Sequence, residues 1–322
     1  MFAVYAQAFS FDDPVSGLGI GDRPEPDVPP GWTTVSVKAA SINHHDVWSL
    51  RGVGLRDDQL PMILGCDAAG LDENGNEVIV HSVINDPEWT GDELHDVKRS
   101  LLSERFQGTF AEKVAVPRRN VLPKPASLSF AEAACLPTAW LTAYRMLFTK
   151  SGLQPGDAVL IQGAGGGVAT ALIMLARAAG FRVYATSRDE AKRTRALELG
   201  AHDVVESGGR LPHLVDAVME TVGAATWSHS MKAIKPGGRI VISGATSGPN
   251  PPNAELTRLF FQEKSVVGST MGLRSELQQL MEFLDITGVR PLIDEELPMS
   301  EAAVGLGRVA EGDIFGKIVL TL

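Results

Sequence analysis

The hydrophobic rhythm of the chain changes partway along. Over residues 1–120, short apolar or alternating runs are separated by turn residues. "TTVSVKAAS" (33–41), "NEVIVHSVI" (76–84) and "GTFAEKVAVP" (108–117) read as strands, with an Asn74-Gly75 turn before the second. Pro24, Pro26, Pro29 and Pro30 make residues 22–31 a stiff loop, because each proline fixes φ and removes a donor. The polar stretch "DPEWTGDELHDVKRSLLSER" (86–105) is expected to run over the surface. This region predicts a β-rich, barrel-like domain.

Near "VLPKPASLSFAEAA" the period lengthens. Ser129 and Glu132 have capping-box spacing ahead of an alanine-rich apolar stretch, which predicts a helix start. Strand and helix patterns then alternate. "DAVLIQ" (157–162) is a strand, 168–179 a helix stopped by Gly180, "FRVYATS" a strand and "DEAKRTRALELG" a helix closed by Gly200. "VDAVMETVG", "GRIVISG" and "SVVGST" are further short strands. Such alternation implies a parallel, doubly wound α/β sheet with helices on both faces. A last helix, 274–288, leads into "FGKIVLTL", a strand expected to return to the first domain.

Composition adds bounds. At 322 residues the chain can bury two cores, and 44% hydrophobic with 21% charged residues is ordinary for a globular protein. No apolar run approaches the roughly 18 residues that a membrane span needs. The opening "MFAVYAQAFSFDD" has no basic start, unlike a signal peptide. Two cysteines, Cys66 and Cys135, make no disulfide framework, so a cytoplasmic setting with no membrane is expected. A net charge of −10 with no basic stripe argues against nucleic acid as partner.

An anionic cofactor needs only local backbone amides, and "VLIQGAGGGVATALIMLARAAG" offers them. Gly163, Gly165, Gly166 and Gly167 stand between an apolar strand and an alanine-rich helix. A dinucleotide pyrophosphate requires this tight turn, close backbone approach and a helix N-terminus. Read from Gly163, the third fingerprint glycine is Val168; a shifted reading gives Gly163, Gly166 and Ala169. The next strand ends in Thr186, Ser187 and Arg188, with Lys192 a turn later, where an NAD site usually presents an acid. A hydroxyl with cations suits a 2′-phosphate, so NADP(H) is the expected cofactor. Asp189 or Glu190 gripping a ribose is the alternative. "SGATSG" and "GSTMG" end later strands, which makes Ser243, Gly244, Ala245 and Thr270 further cofactor contacts.

Several segments in order, "AASINHHDVW", "PMILGCDAAG", "GTFAEKVAVP", "AACLPTAWLTAYRML", "LQPGDAVLIQGAGGGVA", "AKRTRALELGA", "IKPGGRIVISGATSG" and "FGKIVL", resemble the medium-chain dehydrogenase/reductase superfamily nearly end to end. The resemblance is strongest to its zinc-free quinone oxidoreductases and related enone reductases. It implies a GroES-like catalytic domain (1–121 and 289–322), a Rossmann NADP-binding domain (122–288) and an active site in the cleft between them. It also implies a homodimer joined through the Rossmann sheet edges. Thr142 and Lys317 join the expected cofactor contacts. One departure is the contraction of a family turn to "NGNEV" within "AAGLDENGNEVIV".

Zinc-dependent members of this superfamily hold their catalytic metal with a Cys, a His from a Gly-His-Glu triplet and a later Cys. In this chain Asn43 stands at the first position, Cys66 and Asp67 at the triplet, and Thr138 near the last. A catalytic zinc wants three N, S or carboxylate ligands, and Asn and Thr serve poorly, so no metal is expected. A site rebuilt from His44 or His45 with Cys66 and an aspartate is conceivable. Adjacent histidines in an extended segment, however, face opposite ways. Asp67 beside Cys66 opposes thiolate formation, so Cys66 reads as a small soft residue, and Cys135 as packing.

Without a Lewis acid, alcohol oxidation is disfavoured and a conjugated acceptor is easier. Hydride from the cofactor reaches a quinone or the β-carbon of an enone, and the charge that develops on oxygen needs hydrogen-bond donors. The resemblance places Asn43 by the nicotinamide as first donor. His44 or His45 could supply a proton, with Asp46 as an orienting group. The rivals are a zinc-dependent alcohol dehydrogenase and an NADPH-binding protein without turnover.

Overall fold

The computed structural model describes all residues, Met1 to Leu322, and divides the chain into two units. Met1–Ala139 with Gly272–Leu322 form the first, and Trp140–Met271 the second. The second unit is thus narrower than the expected 122–288, with both of its boundaries lying inside that range. The helix Phe130–Ala134 packs on strands Trp32–Ser41 and Asp67–Leu71 of the first unit. The helix Arg274–Thr287 is tied there too, by Arg274 donating to the Arg119 carbonyl (3.0 Å) and Ser127 to Asp285 (3.4 Å). Periodicity reports the element type but not which core an element's apolar face meets.

In the first unit, the main sheet runs in the order Val121–Pro123, Glu77–Val80, Asp67–Leu71, Trp32–Ser41, Lys317–Thr321 and Ile293–Pro298. Lys113–Pro117 pairs with the first half of strand 32–41. The terminal strand does return: Val319 pairs with Ser41 and Thr321 with Ala39. On the other register of the same strand, Ser41 faces Asp67. Inward residues Val35, Val37, Ile42, Val47, Leu64, Val114, Ile318 and Leu320 form the core. An N-terminal pair, Phe2–Ala6 with Leu18–Asp22, escapes the sequence pattern because loop-like residues 7–17 separate its strands.

Two expectations need correction. The 76–84 run breaks into Glu77–Val80 and Val83–Ile84, because His81 and Ser82 leave the ladder: the His81 N–H goes to the Asn120 carbonyl, and the Ser82 hydroxyl to the Cys66 carbonyl. Residues 86–105 are only partly a surface excursion. Ser100–Leu101 pairs with Val83–Ile84, and Leu102 and Ser103 are fully buried. The polar letters hid a segment that turns back inward.

The second unit is a six-stranded parallel sheet ordered Asp203–Val205, Arg182–Thr186, Ala158–Ile161, Val215–Glu220, Ile234–Ile242 and Ser265–Gly268. Its first strand in sequence is central, and the order reverses there, which is where such sheets bind ligands. Leu160, Tyr184, Val218, Ile240 and Met231 fill one face. Helix Gly167–Ala178 follows strand 158–161, and helix Glu190–Glu198 starts where Asp189 accepts from the Lys192 N–H (3.1 Å). That cap contributes about 1 kcal/mol. No helix in the chain is long and apolar enough to cross a membrane.

Candidate functional site

Because the strands of the second unit are parallel, their C-terminal ends share one edge, and most of the cofactor residues read from the sequence lie along it. Gly163–Val168 follow strand 158–161, Ser187 and Arg188 follow 182–186, Ser243–Ala245 follow 234–242, and Thr270 lies beyond 265–268. The glycines differ in role. Gly163 has φ +75°, donates its N–H to Thr186 Oγ1 (3.1 Å), and an added Cβ would meet Val222 at 2.7 Å. Gly165 is also left-handed, at φ +141°. Gly166 caps helix 167–178 at φ −73°, and a Cβ there would meet nothing within 4 Å. Its Cβ direction is open, as close approach of a pyrophosphate to the helix N-terminus requires.

At the end of strand 182–186, Asp189 spends its carboxylate on the helix cap. Arg188 is exposed, and the Ser187 hydroxyl accepts from the Asp189 N–H (3.2 Å). Thr142 is buried on helix Leu141–Tyr144, and the Ser243 hydroxyl points at Met146 Sδ (3.0 Å). A buried polar network missed in the sequence ties three strand ends together. Thr186 donates to Gln162 (2.7 Å), the Gln162 amide reaches Ser230 (3.0 Å), and Ser230 donates to Glu220 (2.6 Å). Glu220 also accepts from the Val222 and Gly223 N–H groups and from Thr226. Its only sequence signal is a polar residue at the end of each apolar strand.

The remaining site residues gather in the first unit around Asp67, whose partners come from three segments. Its carboxylate accepts from Ser41 (2.8 Å), Asn43 Nδ2 (2.8 Å) and Thr138 (2.6 Å). Lys317 Nζ lies 3.8 Å away and donates to Asn43 Oδ1 and to the Ile42 carbonyl, both at 2.6 Å. Lys317, read from the sequence as a cofactor contact, is therefore a buried cation of this cluster. Asn43 donates its second amide hydrogen to the Ser41 carbonyl (3.3 Å), so both of its N–H groups are engaged. The expected free donor at Asn43 is part of the scaffold instead.

Helix His44–Leu50 begins at Asn43, and Asp46 closes its first turn. Asp46 accepts from the Asn43 N–H (2.7 Å) and, with its other oxygen, from the Gly65 N–H (3.1 Å). Burial raises this carboxyl to about 6, against the pull of His45 and the Asn43 N–H. The helical turn overrides the extended geometry assumed for the two histidines. His45 Nδ1 is 3.4 Å from Cys66 Sγ, and its Nε2 is 3.1 Å from Glu104 Oε1. Burial lowers the His45 imidazole, but Cys66, Glu104 and Asp46 outweigh it and hold the ring well above the ordinary histidine range. Burial pushes the Cys66 thiol up, and its sulfur also contacts the Leu102 carbonyl at 3.3 Å. Besides Asp67, Cys66 thus meets His45, whose far nitrogen meets Glu104, both from segments apart in sequence. His44 is half-buried, and burial, Arg51 and Lys317 lower its ring.

Two family models match in tandem: the alcohol dehydrogenase GroES-like domain over residues 29–126, and the zinc-binding dehydrogenase domain over 167–285. A crystal structure of an NAD-dependent alcohol dehydrogenase superposes with a TM-score of 0.91 at 34% identity, covering 100% of both chains. The chain belongs to the medium-chain dehydrogenase/reductase superfamily, in its quinone oxidoreductase-like branch. Quinone oxidoreductase of Mus musculus is 28% identical over 89% of this chain and 88% of the mouse protein. A 2-octenoyl-CoA carboxylase reductase, solved with NADP and 2-octenoyl-CoA, has a TM-score of 0.92 at 25% identity over 99% of this chain and 87% of that one. The protein is an oxidoreductase of this superfamily.

The family's zinc-dependent members raise the question of a metal at Asn43, Cys66 and Thr138. These three do not make a ligand set. The Asn43 amide is spent on Ser41, Asp67 and Lys317, and the Thr138 hydroxyl donates to Asp67. Only Cys66 carries a soft donor atom, and its neighbours are His45, Leu102 and Ser103. A buried ammonium, Lys317, supplies positive charge in this cluster.

Proposed function

We propose that this superfamily member is an NADP(H)-dependent reductase of quinones or α,β-unsaturated carbonyls, working by hydride transfer without a metal. The observation that supports this reading best is the spent donor set at Asn43 and Thr138, which leaves Cys66 as the only soft donor at the family's zinc position. When bound, the reduced nicotinamide supplies hydride to an electron-poor carbon. Gly165–Gly167 and the helix start beyond them receive the pyrophosphate, and Ser187 with Arg188 receives the 2′-phosphate. Negative charge developing on the acceptor oxygen takes a hydrogen bond from the His44 ring, the imidazole of this cluster with no protein partner. Solvent delivers the final proton. The relative solved with NADP and an enoyl-CoA supports both the cofactor and the acceptor class; the NAD-dependent relative is the counterweight.

The test is oxidation of NADPH and of NADH against a panel of quinones, enals and enones, with alcohols assayed in the reverse direction. Turnover of a conjugated acceptor with NADPH preferred is the expected result. Arg188→Ala should cut the NADPH preference about tenfold, the loss of one charge-assisted bond. Alcohol oxidation with NAD, in place of conjugated reduction, would sink the reading.

A further inference from the structure

Beside the Asp67 cluster lies a second constellation that the proposed reaction does not use. Cys66 Sγ, His45 Nδ1 or Nε2 and an Asp46 oxygen all lie within 4.8 Å of one another. A tetrahedral zinc with Zn–S of about 2.3 Å and Zn–N of about 2.0–2.1 Å holds its sulfur and nitrogen roughly 3.6 Å apart. The observed Sγ to Nδ1 distance is 3.4 Å. The far nitrogen of the same ring meets Glu104 at 3.1 Å, the carboxylate–histidine arrangement that orients a metal-bound imidazole. Each Asp46 oxygen accepts one backbone N–H and keeps a second lone pair. A thiolate, a carboxylate and a neutral imidazole together neutralise one divalent ion.

We propose that His45, Asp46 and Cys66 form a binding site for one borderline-soft divalent cation of the zinc type, with Glu104 as the positioning residue for His45. This set is not the Asn43, Cys66 and Thr138 set of the family; it shares only Cys66. Asp46 and Cys66 are both 0% exposed, so the ion serves the fold. It joins the start of helix 44–50 to the chain entering strand 67–71 and to the loop at Leu102–Glu104. A soft thiolate with an imidazole excludes magnesium and calcium, which prefer all-oxygen shells. Binding releases the Cys66 thiol proton and the His45 ring proton to solvent, so occupancy rises with pH.

The full chain, stripped with a chelator, is titrated with Co²⁺ while the near-ultraviolet thiolate-to-cobalt charge-transfer band and the melting temperature are recorded. The expected result is saturation at one Co²⁺ per chain, a thiolate band and a raised Tm. Cys66→Ala and His45→Gln abolish the band, whereas Thr138→Val retains it. Glu104→Gln keeps every ligand and weakens Co²⁺ binding about 10–100-fold, the usual cost of losing such a partner. Circular dichroism of each metal-free variant separates lost binding from lost folding, and Glu104→Gln decides the matter if the ligand variants do not fold. Absence of a stoichiometric band overturns the site. So does a band that survives His45→Gln but disappears in Thr138→Val, which would return the metal to the family's position. None of these readouts depends on reductase activity, so this proposal and the proposed reaction fail separately.

Discussion

The glycine-rich edge of the second unit and the Asp67 cluster of the first are both built at strand ends, but from opposite materials. The glycine turn of that edge comes from residues close together in sequence, with backbone amides as its working parts. The cluster comes from side chains at positions 41, 43, 67, 138 and 317, with a carboxylate at the centre and an ammonium against it. One site therefore depends on backbone conformation that only glycine adopts easily, the other on mutual neutralisation away from water.

The most damaging way to break this contrast is Asp67→Ala. It strips three donors of their acceptor and leaves the Lys317 ammonium, 3% exposed, without its carboxylate. Removing one member of a buried pair costs about 3–5 kcal/mol, which chemical denaturation of the purified variant should show. An unchanged midpoint would mean that the cluster is wetter than its burial implies.

The edge is sharpened by comparing two glycines three residues apart. Gly163→Ala places a Cβ 2.7 Å from Val222 at φ +75° and should lower stability by about 1–2 kcal/mol. Gly166→Ala meets open space at an ordinary φ, so its melting temperature should stay put while NADPH affinity, read by fluorescence titration, falls. Loss of stability in both, with affinity kept in the second, would make the turn a packing device only.

The smallest expected effect is an acid dependence of the second unit. Burial raises Asp216, but its bonds to Lys235 Nζ (2.8 Å) and the Ala158 N–H (2.9 Å) win and hold its carboxyl below the usual range. A carboxylate depressed in the fold contributes stability that is present above its unfolded pKa and is lost as pH falls through the folded one. Asp216→Asn should therefore lose a little stability at neutral pH and show a flatter decline below about pH 4, where the free aspartate titrates. Both partners are partly exposed, so the change is small, and parallel curves for the two proteins would remove Asp216 from the acid response.

What was legible in advance follows the same division. The Ser129–Glu132 capping box, read from spacing alone, is present with reciprocal bonds of 2.7 and 3.1 Å. Helix 274–287 ends at Gly288 with φ +70°, and the terminal strand returns to the first unit. The polar segment 86–105 reads as wholly exposed because polarity reports average exposure. Its inward-turning end is fixed by pairing with residues 83–84 and by contact with Cys66, both distant in sequence.

The sequence by itself determined the alternation of strand and helix, the glycine turn and the cap residues, because each depends on backbone preferences within a few residues. Only the tertiary structure decided that Asn43 is a bonded scaffold residue and that Lys317 lies beside Asp67. It likewise set His45 between Cys66 and Glu104. Those facts depend on sheet register and on a helical turn beginning at Asn43, which bring together side chains tens to hundreds of residues apart. Local pattern carries no information about such meetings; the packing of the core against the strand ends does.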